Sequence, residues 1–132
     1  MGDKSIKVLV IDDEAGIADF MKGILELKGY TGFMETDGLR AVELFKKERP
    51  QIVLIDVDLG FSAIYGVEVL KRIKEIDKDT VCLMVTRVTD PESIEGSKKY
   101  GALHYLFKPL DAKNVVRVVD EAAEIIKKQR GA

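Results

Sequence analysis

Several things are scarce in this 132-residue chain, and each scarcity excludes a class of protein. A single cysteine, Cys82, excludes an internal disulfide and predicts a reducing, cytoplasmic setting. A single histidine, His104, leaves no His/Cys set for a soft-metal site. No apolar run approaches the length needed to cross a membrane. Charge of one sign is also lacking: 21 basic against 23 acidic residues give a net charge of -2. That balance offers no electrostatic case for nucleic acid or an anionic membrane surface. No internal repeat, low-complexity segment or linker interrupts the chain. The polar opening Met1-Gly2-Asp3-Lys4-Ser5 leads straight into a strand pattern and predicts no signal peptide. What is present, 46% hydrophobic and 33% charged residues, fits one folded domain over 1–132 with a proper core.

The organising stretch is Gln51-Ile52-Val53-Leu54-Ile55-Asp56-Val57-Asp58-Leu59-Gly60. A continuous apolar run of this kind predicts a strand buried on both faces, the usual state in a parallel sheet covered by helices. Pro50 fixes where the strand can begin, because proline supplies no ladder donor. Asp56 then falls at the strand's carboxyl end, the edge where open α/β sheets place ligands and chemistry. Alone, such an aspartate is more often a turn-former.

The rest of the chain repeats the pattern. Ile6 to Ile11 predicts a first strand ending in Asp12-Asp13-Glu14, and either Asp12 or Asp13 suffices as a helix cap. Ile17, Phe20, Met21, Ile24, Leu25 and Leu27 recur at helical spacing up to Gly29. Tyr30 to Glu35 predicts a less apolar strand near the sheet edge. Asp37 caps a helix to about Glu48 with Leu39, Val42, Leu44 and Phe45 inward. After the Asp56 strand, Val67, Leu70 and Ile73 mark a third helix, and Val81 to Val85 a fourth strand ending in Thr86. Asp90-Pro91-Glu92 starts a lightly apolar helix to about Tyr100. Leu103 to Phe107 is a fifth strand ending in Lys108-Pro109. Asp111 caps a last helix carrying Val115, Val118, Val119, Ala122, Ile125 and Ile126. Five strands alternating with five helices predict an α/β protein: a parallel sheet, right-handed crossovers and helices on both faces.

A parallel sheet brings Asp12, Asp13, Asp56, Thr86 and Lys108 to one edge. Gathered carboxylates repel and raise one another's pKa, and a hard divalent cation such as Mg²⁺ resolves that repulsion. A fixed ammonium and a hydroxyl donor beside a carboxylate nucleophile suit a phosphoryl group. Singly, Lys108 reads as a solvated lysine and Thr86 as a β-former.

The segments Val-Leu-Val-Ile-Asp12-Asp13-Glu14, the Asp56 strand, Gly66-Val-Glu-Val-Leu, Thr86, and Gly101-Ala-Leu-His-Tyr105-Leu-Phe-Lys108-Pro109 resemble a response-regulator receiver domain of two-component signalling. The resemblance runs along essentially the whole chain. It implies the flavodoxin-like strand order 2-1-3-4-5 and transfer of a phosphoryl group to Asp56 from a sensor histidine kinase or phosphotransfer protein. It implies Mg²⁺ held by Asp13, Asp56 and the main-chain carbonyl of Asp58, with Asp12 acting through water. It implies phosphoryl contacts from Thr86 and Lys108, an aromatic switch at Tyr105, and a cis Lys108–Pro109 bond. Downstream partners, an output domain or a phosphorylation-linked second copy, would meet the helix 4–strand 5–helix 5 face. Such a protein is a switch that catalyses its own phosphorylation and slow dephosphorylation, not a metabolic enzyme.

Two positions depart from the family pattern: Arg87 stands where a small residue is usual, and the 59–66 loop is two residues longer than is common. Phe61, Ile64 and Tyr65 in that loop read equally as an apolar contact surface or as cover for the third helix. Cys82 reads as core and His104 as a surface residue. The competing enzyme reading is a phosphatase of the haloacid-dehalogenase type using Asp56-Val57-Asp58. Against it, that pair normally lies on the first strand of a larger protein. A degenerate receiver would lack one of the acids or the lysine, and a flavodoxin-like cofactor binder would need a phosphate-cradling loop where acids stand.

Overall fold

The computed structural model describes residues 4–60, 62–86 and 91–131, with side chains from residue 94 onward in the last segment. Its elements run β1 (Lys7–Ile11), α1 (Ala15–Leu27), β2 (Thr31–Glu35), α2 (Gly38–Glu48) and β3 (Ile52–Asp56). They continue with α3 (Gly66–Ile76), β4 (Val81–Thr86), α4 (Pro91–Lys99), β5 (His104–Phe107) and α5 (Ala112–Gly131). All strand pairings are parallel, in the order β2-β1-β3-β4-β5. This is the expected doubly wound sheet, with β3 at its centre.

Every residue of β3 and β4 is buried, because both faces of the sheet are covered. Successive strand side chains point to opposite faces, so each strand feeds two cores. On one side Val8, Val10, Ile52 and Leu54 pack with Met21 and Leu25 of α1 and Val115, Val119 and Ala122 of α5. On the other, Leu9, Ile11, Val53 and Ile55 pack with Ala41 and Phe45 of α2 and Leu70 and Ile73 of α3. Edge strand β2 is only half-buried throughout, as its weaker apolar pattern predicts. Cys82 is a core residue of the second cluster.

Helix signals are obeyed where a side chain can reach. Asp37 sits in extended conformation and its carboxylate accepts from the Arg40 N–H at 2.9 Å, capping α2. In α1 the capping residue is Glu14, not Asp12 or Asp13. The apolar stripe of that helix is also narrower than its periodicity suggests. Phe20 is 54% and Leu27 88% exposed. Phe20 is one residue from Met21 and Leu27 two from Leu25, so the helical rotation turns both away from the sheet. Leu39 of α2 is likewise exposed. The expected cap Asp90 lies outside the described residues. The Lys108–Pro109 bond is cis, as the family resemblance implies.

Candidate functional site

The site forms where three strands run out. β1 delivers Asp12 and Asp13, β3 delivers Asp56, and the segment after β5 delivers Lys108. Carboxylate oxygens of Asp12, Asp13 and Asp56 lie within 4.8 Å of one another. Asp12 and Asp56 are buried, whereas Asp13 opens to solvent. Lys108 Nζ joins this cluster 3.0 Å from Asp56 Oδ2 and 2.9 Å from Asp12 Oδ2, with its side chain only 7% exposed. Its contact with Asp56 is an aligned hydrogen bond. The Asp12 contact is an ion pair, and Asp12 Oδ2 meets no aligned hydrogen-bond donor.

Main-chain donors hold the remaining oxygens. Asp12 Oδ1 accepts from Glu14 N at 2.9 Å, Asp56 Oδ1 from Asp58 N at 3.2 Å, and Asp58 Oδ1 from Gly60 N at 3.1 Å. The Asp58 carboxylate is therefore turned onto its own loop and is not among the three that converge. Thr86, at the end of β4, is buried. Its carbonyl accepts from Lys108 N at 2.8 Å, tying the lysine segment to the neighbouring strand end. Tyr105 is half-buried, and its hydroxyl donates to the Ile94 carbonyl of α4 at 3.0 Å.

The electrostatics follow from one cation facing three acids. Burial pushes the Asp56 pKa up to about 6; the Lys108 hydrogen bond opposes that rise, and repulsion from Asp12 adds to it. Asp13 is also raised, by desolvation and then by Asp12 and Asp58. Burial works against the Lys108 ammonium, but its close contacts with the Asp12 and Asp56 carboxylates overcome it and leave its pKa raised.

Sequence reasoning gave no role to three residues between 59 and 66. Gly66 opens α3 so close to β3 that an added Cβ would lie 2.2 Å from the Asp56 carbonyl. Gly60 and Ser62 bind the 59–66 loop to its surroundings, and only the loop's unusual length flagged them. Ile64 packs against the second core cluster, while Tyr65 is 61% exposed. Phe61 and Arg87 lie outside the described residues. His104 Nε2 is 2.8 Å from Glu121 Oε2 on the half-exposed outer side of β5.

A receiver sheet with its acids, lysine and cis proline in these places defines a class, and comparison with known proteins agrees. The response regulator receiver domain profile matches residues 8–120. The chain belongs to that family, whose members are signalling switches of two-component systems. It is 34% identical to sporulation initiation phosphotransferase F of Bacillus subtilis, over 92% of this chain and 91% of that protein. It is 28% identical to nitrogen assimilation regulatory protein NtrX of Azorhizobium caulinodans, over 93% of this chain but 27% of that longer protein. A CheY-like receiver domain from Methanospirillum hungatei JF-1 superposes with a TM-score of 0.88, covering 94% of this chain and 98% of that one at 24% identity, a likeness of fold. Among the described residues no helix is long and apolar enough to cross a membrane.

Proposed function

We propose that Asp56 is the phosphoacceptor and that Asp12, Asp13, Asp58, Thr86, Lys108 and Tyr105 serve it. The observation that carries this reading is the buried Lys108 ammonium bridging Asp56 and Asp12. A buried lysine held between two carboxylates is a fixed charge aimed at the point where negative charge accumulates during transfer. The donor is the phosphohistidine of a sensor histidine kinase or phosphotransfer protein. Asp56 attacks phosphorus, the nitrogen–phosphorus bond breaks, and the released imidazole keeps the electron pair and takes a proton.

The donor set suits Mg²⁺. Three convergent carboxylates against one lysine leave negative charge in excess, and the oxygens are hard ligands with one buried atom lacking an aligned donor. Asp12, Asp13 and Asp56, with the Asp58 carbonyl, would hold the ion. When bound it neutralises charge on the acids and on the phosphoryl oxygens. Lys108 keeps an ammonium against Asp56, and the Thr86 hydroxyl donates to a phosphoryl oxygen. Drawing Thr86 toward the phosphoryl group frees space for Tyr105 and shifts its bond to α4. The α4–β5–α5 face then meets an output domain, a downstream protein or a second copy, in the cytoplasm.

Treatment with acetyl phosphate and Mg²⁺ should add the mass of one phosphoryl group to the intact protein. Asp56→Asn should abolish the gain, and labelling of that variant at the wild-type rate would sink the assignment.

A further inference from the structure

The 59–66 loop, longer than the family pattern, meets the acidic cluster at Gly60 among the described residues. Gly60 has a φ of +54°, and a Cβ placed there would lie 2.5 Å from Asp13 Oδ2. The Asp13 carboxylate thus rests against a bare Cα. The atom in the way is the end of a mobile side chain, not backbone. A side chain at position 60 therefore strains the left-handed backbone and also pushes the Asp13 carboxylate aside, so part of the damage falls on the acid's position.

The loop is held in that place from its far end. Ser62 N donates to the Leu59 carbonyl at 2.9 Å, and Leu59 is anchored in the core. The Ser62 hydroxyl accepts from Gly38 N at 2.8 Å, using one of the unpaired N–H groups in the first turn of α2. Gly38 itself leaves no room: an added Cβ would stand 2.8 Å from the Ile64 carbonyl and 2.9 Å from Ser62 Oγ. A chain of contacts therefore runs from α2 through Ser62 to the Leu59 carbonyl, and Gly60, the residue after Leu59, meets Asp13.

We infer that Gly60 and Ser62 are positioning residues for Asp13: the lengthened loop, fastened to the start of α2, sets where the exposed acid of the cation site lies. This rests on the reading of Asp12, Asp13 and Asp56 as a Mg²⁺ site. Neither residue supplies a ligand side chain, and the Ser62 hydroxyl is committed to α2. The loop and α2 in this way govern metal affinity from outside the carboxylate cluster.

Mg²⁺ alone, titrated calorimetrically into the full chain, tests it. Wild type, Asp13→Ala, Gly60→Ala, Ser62→Ala and Ser62→Thr are compared, with urea unfolding in metal-free buffer as the check on folding. Gly60→Ala should weaken Mg²⁺ by about ten- to a hundredfold, Ser62→Ala by about tenfold, and Ser62→Thr should recover to within about twofold of wild type. A purely structural role for the loop predicts a lower urea midpoint with unchanged Mg²⁺ affinity. Wild-type affinity in either Gly60→Ala or Ser62→Ala, with Asp13→Ala weakened, overturns the inference. Wild-type affinity in Asp13→Ala overturns the site reading as well, and the two failures are told apart by that variant. If Gly60→Ala does not fold, the Ser62 pair decides the matter.

Discussion

Lys108 Nζ and Asp56 Oδ2 stand 3.0 Å apart at the end of the central strand, with both side chains almost entirely buried. The pair is not neutral in sum, because Asp12 shares the same ammonium and Asp13 adds a third carboxylate. A site with more negative than positive charge is strained when ionised and bare, and it is eased by a proton, a cation or removal of one acid.

Asp56→Asn gives the first measurable consequence. The folded pKa of Asp56 is raised from 3.8 to about 6, so its favourable contribution is present below 3.8 and lost as pH rises through about 6. Asparagine imitates the protonated form. In metal-free buffer Asp56→Asn should be more stable than wild type at neutral pH by about 1–2 kcal/mol. The advantage should shrink as pH falls below about 6. Urea unfolding across that range reads it, and a pH-independent difference would contradict it.

Mg²⁺ should raise the melting temperature of the wild-type chain. At ten times its dissociation constant the ion adds about 1.4 kcal/mol. Asp13→Ala should remove most of that response, while the metal-free melt holds or rises slightly because one repelling acid is gone from an exposed position. An equal thermal shift in both proteins would show that the acids do not act together.

Tyr105 and α4 should carry the conformational response. α4 is nine residues long, contains Gly96, and receives the Tyr105 hydroxyl at its Ile94 carbonyl. Elements with few buried apolar side chains open and shift at low cost. Amide exchange with and without beryllofluoride should therefore differ most between Thr86 and Lys108. Tyr105→Phe should diminish the difference in α4. Changes confined to α1 and α2 would contradict this.

Much of this arrangement is legible in the sequence. Buried parallel strands are written as unbroken apolar runs, so the acids and the threonine at their ends fall on one edge by pattern alone. What the pattern does not carry is depth. A lysine after a strand reads as solvated, and Lys108 becomes buried only because Asp12 and Asp56, distant in sequence, converge around its ammonium. Apolar spacing overstates the packed face of α1, since Phe20 and Leu27 fit a loose helical count yet point outward. The Gly60 and Ser62 contacts have no periodicity to announce them. They depend on how closely the loop approaches Asp13 and the first turn of α2, which only the folded chain specifies.

Cys82 offers a check on the core that is independent of the site. Burial raises its thiol pKa from 9.0 to about 12, so the folded protein presents almost no thiolate at neutral pH. Modification by a soluble disulfide reagent should proceed at the rate of unfolding. The thiol's stabilising contribution is complete below 9.0 and is lost as pH rises toward about 12. Cys82→Ala should cost about 1–2 kcal/mol at neutral pH and flatten the alkaline decline. Labelling of the native protein at the speed of a free thiol would refute the buried assignment.

The alternation of β3 between the two cores bears on how this protein tolerates change. Ile52 and Leu54 answer to α1 and α5, while Val53 and Ile55 answer to α2 and α3. The proposed acceptor, Asp56, is the next residue on the same backbone, so the strand works as a ruler graduated from both sides. An error of one methylene on either face is felt at its tip, because close-packed interiors transmit strain. Volume changes in β3 should then alter phosphoryl chemistry before they unfold the chain, whereas the outer residues of α5 can drift with little effect on Asp56.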